Sequence, residues 1–111
     1  MSAKAGVLER VIDLVVDETG ARRGKIREDS QLGEDLGIDG DDADDLMDRF
    51  FREFSVDRSG YNFLDHFGME GFRLKDLISP PRTIPVRISD LVRSVEAGRW
   101  IRPGGDDPEP K

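Results

Sequence analysis

Three stretches of the chain repeat apolar residues at helical spacing. In residues 3–18, Val7, Val11 and Leu14 recur four and three apart, with Leu8 and Val15 beside them. This predicts an amphipathic helix with Gly20 as its stop. In the second stretch Ala43, Leu46, Met47, Phe50 and Phe54 fall on one face, and Asp41, Asp45, Asp48 and Arg52 on the other. Asp39 or Gly40 stands where the cap belongs, and the aspartates that follow suit the positive end of a helix dipole. Phe50, Phe51 and Phe54 are expected to supply much of the core. The third stretch has Ser89 as expected N-cap, an apolar face of Leu91, Val92 and Val95, and Gly98 as its stop. Ile88 lies just ahead as a staple residue, and Trp100 and Ile101 are expected to fold back on the core.

The connections are less regular. Ala21 to Gly40 is a polar loop anchored by Ile26, Leu32, Leu36 and Ile38. A loop of that length in a compact domain is internally packed or functional. In residues 55–87, Ser59-Gly60 and Asn62 read as turn residues, while Phe63, Leu64, Phe67 and Met69 need cover. Phe72 to Ile78 predicts a short helix ended by Ser79-Pro80-Pro81. Thr83 to Ile88 alternates like a strand, but Pro85 limits it to an edge or an extended strip. The expected fold is therefore an all-α bundle of three main helices plus a short one, with a small extended strip near Ile84–Ile88. Residues 1–102 form the domain, and 103–111, rich in proline and glycine, form a disordered tail.

Length and charge narrow the function. With 111 residues there is room for one domain. The chain has no cysteine, which removes disulfides, thiolate nucleophiles and cysteine-ligated metals and fits a cytoplasmic location. No apolar run approaches the roughly 20 residues of a membrane span, and Met1 to Gly6 does not read as a secretory signal. The net charge of −7, from 24 acidic and 17 basic side chains, disfavours nucleic acid as a partner. The sign is unevenly spread. Asp29 to Asp48 contains nine carboxylates and no Lys or Arg, whereas Phe72 to Arg102 holds seven basic residues against three acidic ones.

The remaining chemistry is thin. The carboxylates fail the spacing of a calcium loop, since a loop begun at Asp35 has Leu46 at its twelfth position and one begun at Asp57 has Gly68. His66 is the single histidine, so no transition-metal set or histidine triad is expected, and it reads as a packing or surface residue. Phe50, Phe51, Phe54, Phe63, Phe67 and Trp100 suit core packing better than an acyl pocket. Gly33, Gly37 and Gly40 have the wrong spacing for a phosphate loop.

The string from Asp29 to Phe54 resembles the signature stretch of acyl carrier proteins. Glu34-Asp35-Leu36-Gly37 match, Asp39 matches the aspartate before the attachment serine, and Asp42, Asp45, Leu46, Glu53 and Phe54 match the following helix in register. Arg87-Ile88-Ser89-Asp90-Leu91 resembles the opening of the family's last helix. Residues 55–86 do not match ordinary carriers. An insertion there, with Gly98-Arg99-Trp100 after the last helix, is similar to small bacterial carrier-like domains. The resemblance implies a carrier-like helical fold. It also exposes a departure: carriers bear 4′-phosphopantetheine on a serine at the start of the second helix, and here that position is Gly40. Ser30, Ser55 and Ser59 are the nearest hydroxyls, and none matches it. Carriers also tend to have apolar partner-binding residues where this chain has Asp41, Asp44 and Asp48.

The sequence thus predicts a non-enzymatic, serine-less carrier-like protein with no cofactor and no metal. Asp41, Asp44, Asp45 and Asp48 are its candidate contacts to a partner with a basic surface, in the regulation or scaffolding of a lipid or secondary-metabolite pathway. The alternative is an acidic inhibitor or immunity-type protein. An enzyme is disfavoured because no nucleophile, base and orienting group occur together.

Overall fold

A computed structural model describes residues 3–38, 40–66 and 84–103, with the side chains of residues 3–5, 64 and 65 left aside. Among these described residues four α-helices follow in order: α1 (Ala3–Thr19), α2 (Gly40–Glu53), α3 (Phe63–His66) and α4 (Ile88–Ala97). A single 3-10 turn (Arg23–Lys25) lies between α1 and α2. The protein is a small all-α fold in which α1 packs against both α4 and α2.

The three amphipathic faces converge as their spacing predicts. Val11, Leu14 and Val15 of α1, Ala43, Leu46, Met47, Phe50 and Phe51 of α2, and Ile88, Leu91 and Val92 of α4 are buried in one core. Val7, Phe54 and Val95 sit at its margin, half-buried rather than central. Phe54 lies beyond the last residue of α2, with the Arg10 guanidinium 4.9 Å from its ring centre. A phenylalanine there keeps one face open where a mid-helix position such as Phe50 is enclosed on all sides.

The long loop is internally packed. Ile26, Leu32 and Ile38 are buried, and Leu36 is half-buried. Its middle pairs with the chain just before α4. Gln31 and Arg87 form an isolated antiparallel bridge, the Leu32 amide donates to the Val86 carbonyl at 2.8 Å, and the Ile88 amide donates to the Ser30 carbonyl at 3.0 Å. The expected extended strip is therefore present as a short run paired at residues 86–88, and Pro85 stands just before it at an exposed position.

The start of α4 differs from expectation. Ser89 lies inside the helix, and Arg87 holds the cap position with extended backbone (φ −106°, ψ 164°). The capping group is instead the buried carboxylate of Asp90, which accepts the Arg87 amide at 2.8 Å and the Arg93 guanidinium at 2.9 Å. A carboxylate at the third helical position reaching back is the acidic half of a capping box. Gly98 ends α4 in the left-handed conformation at φ 78°. Trp100 folds back and is buried, and its amide donates to the Asp57 carbonyl at 2.9 Å. The short helix expected at Phe72–Ile78, the side chains of Phe67 and Met69, the aspartate Asp39 and the tail after Pro103 lie outside the described residues.

Candidate functional site

The start of α2 owes its geometry to a glycine. Gly40, its first residue, sits at φ 58°. An L-residue held there meets a clash between Cβ and the following carbonyl, at about 1–2 kcal/mol. Gly40 thus lacks a hydroxyl and also has a backbone that other residue types avoid. The sequence showed the first property, whereas the φ angle emerges only in the fold.

Beyond Gly40 the helix alternates buried and exposed positions with a period of three to four. Ala43, Leu46 and Met47 point into the core, and Asp41, Asp42, Asp44 and Asp45 face solvent. No ion pair reaches these four carboxylates from among the described residues. Asp44 lies near enough to the Tyr61 phenol for its negative charge to help hold the phenolic proton in place. Burial is the largest cause and pushes that phenol above its ordinary range, while the nearby Arg58 guanidinium opposes the shift.

Asp48, the fourth residue of the candidate partner surface, belongs to a different environment. It accepts the Arg52 guanidinium at 3.0 Å and that of Arg58 at 3.2 Å. These two hydrogen bonds hold its carboxyl below the ordinary range. Four residues separate Asp48 from Arg52, so that pair was legible as an i, i+4 contact. Arg58 arrives from the loop after α2 and could not be assigned by spacing. The structure therefore brings Asp41, Asp44 and Asp45 together on one open face and places Asp48 in an internally neutralised cluster.

Arg49 was missed by the sequence reading. It binds Asp17 at 2.8 Å, Glu18 at 3.1 Å and Glu53 at 3.0 Å, tying α2 to the end of α1. The three carboxylates hold its guanidinium even more firmly protonated than usual. Arg49 and Glu53 line an open groove of about 510 Å³ with Arg10, Asp13, Asp17, Arg23, Leu14, Val16 and Phe54. Arg23 is likewise paired, with Glu9 and Asp13. The guanidiniums of Arg23 and Arg49 in that groove are committed to neighbouring carboxylates.

The other candidate groups take up structural places. Ser30 is buried, and its Oγ accepts the Arg27 amide at 2.9 Å. Ser59 donates its hydroxyl to Asp57 at 2.8 Å, and its amide and hydroxyl together hold the Asp57 carboxyl below the usual range. Ser55 is exposed at the far end of α2. None of the three stands at a helix start. His66 is buried, stacks on Tyr61 with ring centres 5.9 Å apart, and donates Nδ1–H to the Ile84 carbonyl at 3.0 Å. Of its two expected settings, the packing one is found. Among the described residues no three His, Cys, Asp or Glu side chains are grouped to hold a metal ion. No described helix is long and apolar enough to cross a membrane.

Residues 4–102 match the family described as Protein of unknown function (DUF1493), and the chain belongs to that family. No curated protein and no solved structure matches it.

Proposed function

We propose that this DUF1493 protein is a non-enzymatic, acyl-carrier-like domain that has given up the phosphopantetheine arm and acts through protein contacts at the start of α2, as a regulator or scaffold in a lipid or secondary-metabolite pathway. The observation that carries the reading is Gly40 at φ 58°, in the register of the attachment serine and followed by four exposed carboxylates. A phosphodiester needs a side-chain hydroxyl, and the transfer favours one at a helix N-terminus where the dipole attracts phosphate. Gly40 supplies backbone alone. An apolar partner surface of the carrier type would desolvate Asp41 and Asp44 without pairing them, which is strongly unfavourable. A partner bearing Lys or Arg is favoured instead.

The same carboxylates support a second reading, an acidic inhibitor that covers a basic enzyme site. The two separate by what is bound. A carrier-like scaffold binds acyl-transfer or ligase enzymes, and an inhibitor binds a nuclease or another basic enzyme. In either case Asp41→Asn with Asp45→Asn weakens the complex.

The carrier reading is tested by intact mass after incubation with coenzyme A and a broad-specificity phosphopantetheinyl transferase. The unmutated chain is expected to gain no mass. Gly40→Ser restores the hydroxyl but keeps the acidic face and meets the left-handed backbone, so it is expected to be modified poorly. Gly40→Ser with Asp41→Leu does better. A gain of one phosphopantetheine on the unmutated chain overturns the proposal, and full modification of Gly40→Ser alone refutes the argument from the acidic face and the backbone.

A further inference from the structure

Arg10, Asp13 and Asp17 stand three and four apart on the stripe of α1 that is turned to solvent. With Glu53 and Phe54 they border the open groove of about 510 Å³ beside the end of α2. Its cations are of two kinds. Arg23 and Arg49 are joined to carboxylates. Arg10 makes no ion pair among the described residues. Its guanidinium lies over the Phe54 ring instead, 4.9 Å from the centre. The half-buried ring is thus a platform for a cation that no described carboxylate pairs.

The surroundings of that ring are negative. Glu9, Asp13, Asp17, Glu18 and Glu53 share the two guanidiniums of Arg23 and Arg49. With Arg10 included, five carboxylates face three cations, an excess of two negative charges. The acidic partners are also turned outward. The Asp13 side chain is 63% exposed against 47% for Arg23, and that of Asp17 is 68% exposed against 31% for Arg49. An ionised carboxylate has about four acceptor positions, so one ion pair leaves the outer ones open to a further donor.

We propose that this groove docks an arginine of a partner protein, whose guanidinium takes the place of Arg10 on the Phe54 ring and donates to Asp13, Asp17 or Glu53. A guanidinium stacks flat on an aromatic face and keeps its donors free at the edge. An ammonium brings the charge without the flat contact. An anionic occupant meets the excess negative charge, and an apolar one desolvates carboxylates without pairing them. Arg10 is the internal competitor that covers the ring in the free protein. The site lies at the opposite end of α2 from Asp41 and stands whether or not the carrier reading holds.

The probe is a capped Gly-Arg-Arg-Gly peptide titrated into the isotope-labelled full chain and followed by NMR, with citrulline in place of arginine as the uncharged control. The amide signals of Asp13, Asp17, Glu53 and Phe54 are expected to shift with the arginine peptide and to stay in place with the citrulline one. Arg10→Gln bares the ring, so binding tightens about two- to fivefold beyond the effect of Arg99→Gln, an equal loss of charge at an exposed position after α4. Phe54→Leu keeps an apolar side chain but offers no ring, and in that background the extra gain from Arg10→Gln disappears. Asp41→Asn with Asp45→Asn weakens binding less than Asp13→Asn with Asp17→Asn. Absence of shifts around the groove overturns the proposal. So do equal shifts with the citrulline peptide, and equal effects of Arg10→Gln and Arg99→Gln. Shifts at Asp41 to Asp45 alone also overturn it and leave the start of α2 as the surface for a basic partner.

Discussion

The two ends of α2 solve the same backbone problem with different residues. At the start the chain turns on Gly40 at φ 58°, and at the end on Ser55 at φ 55°. The end is a Schellman closure: the Val56 amide donates to the Phe51 carbonyl at 3.0 Å and the Ser55 amide to the Arg52 carbonyl at 3.4 Å. Glycine is favoured at the left-handed position of that motif, yet here it stands at the other end. Charge divides along the same line. Asp41, Asp42, Asp44 and Asp45 are open to solvent at the start, whereas Asp48, Arg49, Arg52 and Glu53 are joined to one another or to α1 and Arg58 at the end. The end of the helix ties parts of the bundle together, and the start presents carboxylates that no cation among the described residues pairs.

If the ends differ only on their solvent side, the apolar face they share must dominate stability. Phe50 is wholly buried at the centre of the core and contacts the rings of Phe51 and Phe54. Phe50→Ala is expected to cost about 3–5 kcal/mol, the transfer loss plus the cavity left behind. The midpoint of urea unfolding measures it, and a loss under about 1 kcal/mol would show that the helices do not converge as described.

A swap at the turns tests the backbone half of the comparison. Ser55→Gly removes the left-handed strain without touching a buried group and is expected to stabilise by about 0.5–1 kcal/mol. Gly40→Ala is expected to destabilise by about 1–2 kcal/mol. Thermal melts of the two variants should move in opposite directions, and movement in the same direction breaks the comparison.

Legibility in the sequence followed the range of the interaction. The three long helices and the buried faces of Leu14, Leu46, Phe50 and Leu91 were readable because they depend on spacings of three and four. Ile26, Leu32 and Ile38 were identified as loop anchors because they are isolated apolar residues in polar surroundings. The Asp90 cap was missed because Ser89 is the commoner capping residue, and the choice is settled by where residues 86–88 pair with 30–32. The candidate strip was split at Asp48 because Arg58 comes from a turn whose path no local pattern specifies. Arg49 was overlooked for the same reason, since Asp17 and Glu18 lie on another helix. Tyr61 was passed over because a lone tyrosine beside a turn carries no periodic signal.

The smallest expected effect separates the charges of the two ends. Nine carboxylates between Asp29 and Asp48 predict repulsion that salt relieves, so that the melting temperature rises with ionic strength. The pairs made by Asp48 and Arg49 oppose this, because salt weakens attraction as well. Wild-type salt dependence is thus a difference of two terms, and variants at each end isolate one of them. Asp41→Asn with Asp45→Asn removes repulsion and keeps the pairs. The dipole favours a carboxylate at Asp41 and so trims that gain, while Asp45 lies one turn further in. Arg49→Gln leaves Asp17, Glu18 and Glu53 without their shared cation and adds repulsion. Between low and moderate salt the melting temperature should therefore climb most for Arg49→Gln, less for the unmutated chain and least for the double Asn variant, with spacings on the order of 1–3 °C. The reverse order would mean that the carboxylates at the start of α2 are already compensated and that those at its end are not, which is the opposite of the division on which the partner surface rests.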